Sequence, residues 1–258
     1  MLDNILETPT PSVGLVIGSY GAPAYIHLQL ASWKHLYPTI PLLIHDDSSD
    51  ASDQIADLCK TYGASFYKTE KREGHQEGDL SACIKGLEFG RDNGVDIMVK
   101  FSRTWIPLVD FVPSIQRLAY ETQYATYSSR CISCRHRFRT ECVGLHVPTY
   151  VEKGHLDIMR EGLRLRSEAW GCMELLLHRI AKEIVKNNAC MANVRHRSAK
   201  IRHSKCLDYA IWNWIGDDCR KRSSRWIWHR SDTPIDYHRL SLLHDLPYTL
   251  EAFDNPPY

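Results

Sequence analysis

The chain has 258 residues, of which 43% are hydrophobic and 24% charged; these values are ordinary for a globular protein and exclude a disordered or collagen-like chain. Thirty-two Lys and Arg stand against 31 Asp and Glu, so the net charge of +1 favours no class of partner. No run of residues is apolar for long enough to predict a membrane span, and the first residues lack the form of a signal peptide. Nine cysteines are an odd number, and we therefore expect a cytoplasmic protein with reduced thiols.

Short apolar runs alternate with amphipathic stretches over the first hundred residues. Residues 13–17 contain no polar side chain and run into a Gly-Ser-Tyr-Gly turn, which is typical of a buried parallel strand. Pro23 can begin a helix that ends before Pro38. In chain order, the elements predicted next are a strand at 41–45, a helix at 52–62, a strand at 64–67, a helix at 80–90 and a strand at 96–101. This alternation predicts an α/β fold with a mainly parallel sheet and helices on both faces.

The second half of the chain is less regular. We predict a helix at 110–120 and strands at 124–129 and 143–146. The most amphipathic helix of the chain is predicted at 168–186, where apolar residues recur at helical spacing and lysines lie near the C-terminal end. A break near 187–193 follows it.

Charge is unevenly distributed beyond that break. Residues 195–230 carry ten Lys or Arg against three Asp, whereas residues 231–258 carry five acidic residues and one Arg. We expect a single domain with three parts: a first half at 1–107, a second at 108–193, and a basic and then acidic extension at 194–258.

The residues at the strand ends are the first candidates for a ligand site, because doubly wound sheets bind ligands beyond the carboxyl ends of their strands. Those ends carry Ser19 and Tyr20, the pair Asp46 and Asp47, and Ser102. No G-x-G-x-x-G or P-loop is present, which argues against dinucleotide enzymes and P-loop NTPases. The two carboxylates suit hydrogen bonds to a base or ribose. Alternatively, they only shape a turn and cap the next helix.

Four segments resemble, in order and spacing, the opening of the GT-A glycosyltransferases, especially the family-2-like group. They are VGLVIGSYG at 13–21, PLLIHDDSSDAS at 41–52, GDLSA at 78–82 and MVKFSRTWIP at 98–107. The resemblance covers about the first 107 residues and implies a GT-A-like fold that binds a nucleotide-diphosphate sugar as donor substrate. It also implies a donor-binding set consisting of Ser19, Tyr20, Asp46, Asp47, Asp79, Lys100 and Ser102.

The chain departs from the family where the D-x-D metal motif is expected. It has Phe101, Ser102 and Arg103 there, and neither a phenyl ring nor a guanidinium can ligate a hard cation. Arg103, together with Lys100, is the obvious substitute, because a permanent cation with planar donors matches phosphate oxygens. We therefore expect no metal cofactor. A metal held by other ligands, and an inactive binding module of the same fold, stay open.

A catalytic base is harder to place. Inverting members of the family carry an acidic residue at the start of a helix in the second half, and the matching position here holds Cys172. Glu168 is the preferred carboxylate for accepting the acceptor's proton, with Glu174 next and Asp157 a further possibility. Glu174 could instead simply face solvent.

The acceptor is expected to meet the second half and the extension. Four arginines, Arg130 among them, lie where the family places acceptor and diphosphate contacts. Two tryptophans are interleaved with basic residues, as in sites that bind phosphates and stack on bases or sugars. These candidate acceptor-binding residues are Arg135, Arg137, Arg139, Trp226 and Trp228. His229 is a candidate for contacting the diphosphate. A modified DNA base and a polysaccharide precursor are both open as acceptors, as is a simple solvated basic loop.

A zinc site is a weaker interpretation of the same region. Cys131, Cys134 and Cys142, with His136 or His146, could provide four ligands, but a lone C-x-x-C is a weak signal. Ordinary thiols are expected instead.

Overall fold

The computed structural model describes most of the first half of the chain and separate stretches of the second. These residues are 10–107, 112–113, 115–116, 119, 126–128, 142–173, 175–177, 179–180, 227–228 and 234–253.

A six-stranded sheet lies at the centre of the fold, in the order β3-β2-β1-β4-β7-β6. The strands are β1 (Val13–Ser19), β2 (Leu42–Asp46), β3 (Ser65–Lys68), β4 (Ile97–Ser102), β6 (Thr126–Ser128) and β7 (Cys142–His146). The first four run parallel, β7 is antiparallel to β4, and β6 is antiparallel to β7. A second, two-stranded sheet pairs β5 (Ile106–Pro107) with β8 (Ile227–Trp228). The predicted α/β fold with a mainly parallel sheet is therefore confirmed.

Helices connect the parallel strands and continue into the second half. They are α1 (Pro23–Leu36), α2 (Ser52–Tyr62), α3 (His75–Asp92), α4 (Val147–Glu152), α5 (His155–Leu165), α6 (Ser167–Trp170) and α7 (Pro234–Leu243). Local signals set several ends: Pro23 opens α1, and Gly63 closes α2 in the left-handed conformation that glycine adopts without strain. In the part of the chain that the structure describes, no helix has the length and apolar character needed to cross a membrane.

The central strands β1, β2 and β4 are largely buried on both faces of the sheet, whereas β3 at one edge is partly exposed. One face packs on α1 and α2, where Ile17, Trp33 and Phe101 belong to one core cluster. The other face packs on α3, α4 and α5. Helix α3 lies close to the sheet because Gly86 has no side chain: a Cβ there would come within 2.6 Å of a Val16 methyl group.

Residues 234–253, named the C-terminal cover here, pack on the outer side of α1. The cover consists of α7, a connecting turn and a 3-10 helix at Leu250–Phe253. Tyr237 and Phe253 form an aromatic cluster with Tyr25 of α1, with ring centroids 4.8 Å apart between Tyr25 and Tyr237 and 5.2 Å between Tyr25 and Phe253. The cover thus joins a distant part of the sequence to the first half of the fold.

Two helix predictions need correction. The helix predicted at 80–90 is longer and begins at His75. The helix predicted at 168–186 is interrupted, because α6 ends at Trp170 and Gly171 adopts φ 90°; helical residues resume at Met173. The apolar period continues across this break, which explains why the sequence pattern does not reveal it.

Candidate functional site

The carboxyl ends of β1, β2 and β4 and the N-terminus of α3 meet at one edge of the sheet. The strand order changes direction between β1 and β4, since β1 continues towards β2 on one side and pairs with β4 on the other. Gly18 lies beside Ser102 in this pairing. Open α/β sheets bind their ligands at such a switch point, so this edge is the candidate site.

Arg103 and Arg72 meet at Tyr20, the residue after β1. The Arg103 Nη1 donates to the Tyr20 carbonyl at 3.4 Å. The Arg72 guanidinium lies 3.9 Å above the centroid of the Tyr20 ring. The candidate edge therefore has two guanidinium groups and an aromatic ring close together, a combination that can attract phosphate oxygens and a flat base.

Hydrogen bonds from distant elements fix the turn that carries Arg103. Gln29 of α1 donates from Nε2 to the Ser102 carbonyl at 2.8 Å, and the Trp105 amide donates to the same oxygen at 3.0 Å. The Tyr237 hydroxyl of the cover donates to the Thr104 carbonyl at 2.8 Å. The carbonyls on both sides of Arg103 are thus held by buried side chains.

Asp46 shapes the turn after β2. Its carboxylate accepts hydrogen bonds from the backbone amide and hydroxyl of Ser49, both at 2.9 Å, and from the Ser52 hydroxyl at the start of α2. The Gly21 amide donates to it more weakly at 3.4 Å. Asp46 is fully buried, and in this arrangement its oxygens serve the turn.

Asp47 anchors the loop between β3 and α3. Its carboxylate accepts from the Glu73 amide at 2.7 Å, from the Gly74 amide at 2.9 Å and from the Thr69 hydroxyl at 3.3 Å. Gly78 of α3 leaves room for it, since a Cβ there would come within 2.9 Å of the Asp47 carboxylate. These contacts agree with the alternative in which both aspartates have a structural role. That Asp46 and Asp47 contact a donor stays a prediction.

Lys100 and Asp79 form an ion pair beneath the N-terminal part of α3. The Lys100 ammonium donates to the Asp79 carboxylate at 2.6 Å and to the Ser102 hydroxyl at 3.4 Å. The Lys100 side chain is 1% exposed and that of Asp79 22% exposed. The charge of Lys100 is therefore balanced inside the protein, whereas Arg103 is partly exposed at the edge.

Ser19 is also engaged by the protein itself. It is buried, and its hydroxyl donates to the Gly21 carbonyl at 2.8 Å. Its own carbonyl accepts from the Asp47 amide at 2.8 Å and so ties β1 to the turn after β2. Tyr20, a predicted donor-binding residue, and Arg103, predicted to stabilise the diphosphate, are both partly exposed and contact each other.

An ion-pair network holds α6 against the N-terminus of α3. Arg166 donates to the Glu73 carboxylate at 2.8 Å and to the Glu73 carbonyl at 2.7 Å. The Ser167 amide donates to the Glu77 carboxylate at 2.8 Å, and this bond and the Arg166 charge lower the pKa of Glu77 against the opposing effect of burial. Glu168 follows directly, exposed, on the first turn of α6. The network thus ties the two residues before Glu168 to the N-terminus of α3.

The other candidate bases lie elsewhere or outside the described residues. Asp157 is on the exposed side of α5, where it accepts from Arg160 at 2.7 Å, and Arg160 also bonds Glu88 of α3. Cys172 follows the break at Gly171. Glu174 lies outside the described residues.

Most of the predicted acceptor-binding residues also lie outside the described residues. They are Arg135, Arg137, Arg139 and Trp226. His229, the candidate for contacting the diphosphate, lies outside them as well. Of Trp228, only the backbone is described: it pairs with Ile106 in the two-stranded sheet, three residues after Arg103. The backbone of Trp228 therefore lies beside β5, which follows the turn that carries Arg103.

The zinc interpretation is partly corrected. Cys131, Cys134 and His136 are not among the described residues. Cys142 and His146 lie four residues apart on one strand, β7, which separates their backbones by about 13 Å, too far to share an ion. Within the described parts of the chain, no three His, Cys, Asp or Glu side chains are grouped as metal ligands.

Four residues that shape this edge have no role in the sequence prediction: Gln29, Arg72, Arg166 and Tyr237. Gln29 had a usable signal, since it is a polar residue inside an apolar helix stretch, four positions before Trp33, to which it is bonded. The other three had none, because their partners are distant in the sequence.

Comparisons with known proteins find similar solved structures at low sequence identity. No family model and no curated protein matches. Among solved structures it is similar to residues 1–349 of S. aureus TarS (10% identity, TM-score 0.49, covering 94% of this chain and 68% of that one). It is also similar to mannosyltransferase PcManGT from Pyrobaculum calidifontis, in complex with GDP-Man and Mn²⁺ (14% identity, TM-score 0.44, 57% and 48%), and to a cytidylyltransferase from Leptospira borgpetersenii (15%, 0.37, 55% and 63%). The chain spans about half the length of the mannosyltransferase, and likeness at this level transfers no activity.

Proposed function

We propose that the chain is a glycosyltransferase of GT-A type that takes a nucleotide-diphosphate sugar as donor. Residues 1–107 hold the donor, with Tyr20 at the nucleotide and Arg103 at the diphosphate. Residues 108–193 and 194–258 meet the acceptor. The sequence resemblance over the first 107 residues supports this proposal, together with the position of Arg103 at the switch point of the sheet.

The position of Arg103, a partly exposed residue directly after β4, is the observation that carries the proposal. The leaving diphosphate gains negative charge as the glycosidic bond breaks, and a positioned cation stabilises it. Two unit charges about 4 Å apart attract each other by about 4 kcal/mol at an effective dielectric constant of 20. Arg72, stacked on Tyr20, places a second cation nearby.

A divalent cation does not fit the residues at this strand end. Phe101 points into the core, with its ring 4.9 Å from that of Trp33, and Arg103 carries a positive charge. The carboxylates of Asp46 and Asp47 accept bonds from the turn and loop around them. No step of the proposed reaction is therefore assigned to a metal ion.

Glu168 is the proposed base. Its exposed carboxylate would accept the proton of the acceptor's nucleophilic group as that group attacks the sugar's anomeric carbon and the nucleoside diphosphate leaves. The network of Arg166, Glu73 and Glu77 supports this role, because it holds α6 at the candidate edge.

The first experiment measures binding of UDP and GDP, and of uridine and guanosine, to the wild type and to Arg103→Ala. The wild type is expected to bind a diphosphate more tightly than its nucleoside. Arg103→Ala should weaken diphosphate binding about 10- to 100-fold, because a hydrogen bond to a charged group is lost, and should leave nucleoside binding unchanged.

Arg91→Ala is the matched control, because Arg91 is an exposed arginine at the opposite end of α3 and is paired with Asp92. It should bind like the wild type. Equal losses of diphosphate and nucleoside in Arg103→Ala contradict the role of Arg103. An inactive binding module of the same fold is favoured if the wild type binds diphosphates but turns over no donor sugar. Glu168→Gln should then be indistinguishable from the wild type in both diphosphate binding and turnover.

The proposed acceptor is polyanionic, with a modified DNA base preferred to a polysaccharide precursor. The ten basic residues against three acidic ones at 195–230, interleaved with Trp226 and Trp228, support this choice. The affinity for a DNA oligonucleotide should fall steeply as salt rises, since bound phosphates release counterions. A slope near zero removes nucleic acid as the acceptor.

A further inference from the structure

We infer that Tyr237 and Gln29 are positioning residues for Arg103 and set the affinity of the candidate site for diphosphates. This inference rests on the proposed function. Neither side chain is assigned contact with the donor; both act through the backbone of the turn between β4 and β5.

The two side chains hold that backbone from opposite ends of the sequence. Gln29 lies 73 residues before Ser102, whose carbonyl it contacts, and Tyr237 lies 133 residues after Thr104, whose carbonyl it contacts. The two accepting carbonyls flank Arg103 directly. The two bonds therefore oppose a rotation of the turn that would move the Arg103 Cα.

Both positioning groups are themselves fixed. Gln29 is fully buried and its Oε1 accepts from the Trp33 indole at 3.1 Å, so its amide cannot turn round without losing that bond. Tyr237 is fully buried in the aromatic cluster of the cover, packed against Tyr25 and Phe253. The turn therefore rests on side chains that have little freedom to follow it.

Such support matters for a cation carried on a side chain. An arginine has many rotamers, and it binds phosphate well only when its backbone and first bonds already point at the ligand. The bond from Arg103 Nη1 to the Tyr20 carbonyl holds the guanidinium beside β1. With the turn fixed on both sides, little rearrangement is left to oppose diphosphate binding.

The experiment compares Tyr237→Phe with Tyr25→Phe. Each variant removes one hydroxyl from a fully buried ring of the same cluster, and each hydroxyl donates to a backbone carbonyl at 2.8 Å, that of Thr104 for Tyr237 and that of Phe253 for Tyr25. The two variants should lose similar amounts of stability on urea unfolding. The carbonyl bonded by Tyr237 belongs to the Arg103 turn, whereas the carbonyl bonded by Tyr25 belongs to the cover.

Tyr237→Phe should lower the affinity for UDP or GDP about three- to tenfold, which is the effect of one hydrogen bond. Its affinity for uridine or guanosine should be unchanged. The binding of inorganic pyrophosphate should weaken by the same factor, because pyrophosphate has the two phosphate groups and lacks only the nucleoside. Tyr25→Phe should bind all of these ligands like the wild type. Gln29→Met, which removes the other bond to the turn, should reproduce the selective loss.

Each result has a distinct meaning. If Arg103→Ala weakens diphosphates but Tyr237→Phe and Tyr25→Phe behave alike, the inference is wrong and the proposed function stands. If Tyr237→Phe weakens nucleoside and diphosphate equally, the hydroxyl has only a structural role and the inference is also wrong. If the wild type binds neither UDP, GDP nor pyrophosphate, or if Arg103→Ala changes nothing, the proposed function falls and the inference falls with it.

Discussion

His45 is an imidazole buried beneath α3, and it makes the stability of the fold depend on pH. Its Nε2 lies 2.9 Å from the Ser81 hydroxyl, and its ring stacks on Tyr67. Burial lowers the pKa of His45 from 6.5 to about 4, against the opposing effect of the Asp47, Asp46 and Asp79 carboxylates. The folded protein therefore keeps this ring neutral through weakly acidic solution.

The sign of the pH dependence follows from this lowered pKa. Between pH 6.5 and about 4 the unfolded chain protonates His45 while the folded chain does not, so the free energy of unfolding falls as the pH falls. The contribution of this one group is about 3 kcal/mol, fully present above pH 6.5. In His45→Gln, the free energy of unfolding measured with urea should depend less steeply on pH in this range than it does in the wild type.

An exposed imidazole provides the control for that measurement. His75, on the first turn of α3, is exposed, and His75→Gln should keep the wild-type slope. If the unfolding free energy of His45→Gln depends on pH as steeply as that of the wild type, His45 is not a source of the pH dependence. His27, His146 and His244 also have a pKa lowered by burial and contribute in the same direction, so only the difference between variant and wild type isolates His45.

At the scale of single residues, the sequence places the site better than it assigns roles within it. Parallel strands end at one edge, so Tyr20, Asp47 and Arg103 could be grouped from their positions alone. The partners of each side chain could not, because they come from distant segments: Asp47 bonds the amides of Glu73 and Gly74. Asp46 and Asp47 at the end of β2 are predictable as turn residues, but the loop that Asp47 anchors is not predictable.

At the scale of elements, the first half is predictable because each boundary has a local cause. Pro23 opens α1, Gly63 ends α2, and the buried strands are runs of apolar residues. The helix predicted at 168–186 fails for a related reason: its apolar period is real, and Met173, Leu176, Leu177 and Ile180 are all buried in one cluster. The break before them depends on the backbone at Gly171 and on the bonds that tie Ser167 and Met173 to α3.

That break has a consequence for the candidate base. A continuous helix from residue 168 would carry Glu168 and Glu174 on one rigid axis. With Gly171 in a conformation that favours glycine, α6 is a separate turn, bonded to α3 through the Ser167 amide and Glu77, while Met173 after the break is bonded to Gln76 of the same helix. Glu168 and the helical residues after the break are therefore each tied to the N-terminus of α3 by a bond of their own.

At the scale of the whole molecule, the C-terminal cover connects the aromatic cluster on α1 with the turn at the end of β4. No local pattern predicts this, since the cover was expected only as an acidic extension. One bond is donated to the cover, from the Tyr25 hydroxyl to the Phe253 carbonyl, and one is donated by the cover, from the Tyr237 hydroxyl to the Thr104 carbonyl. A ligand that favours one arrangement of the turn must therefore favour the docked cover, because coupling between two binding equilibria is reciprocal.

This reciprocity predicts the hydrogen exchange of the cover. If the Tyr237 hydroxyl raises diphosphate affinity about three- to tenfold, saturating UDP or GDP should slow amide exchange at residues 237–246 by a similar factor. Nucleoside alone should not slow it, and Tyr237→Phe should abolish the effect. Helix α5, which packs on the opposite face of the sheet, is the internal control and should exchange at an unchanged rate. Equal protection of α5 and the cover contradicts the coupling, because it would mean that the ligand stabilises the whole fold rather than the link from Thr104 to Tyr237.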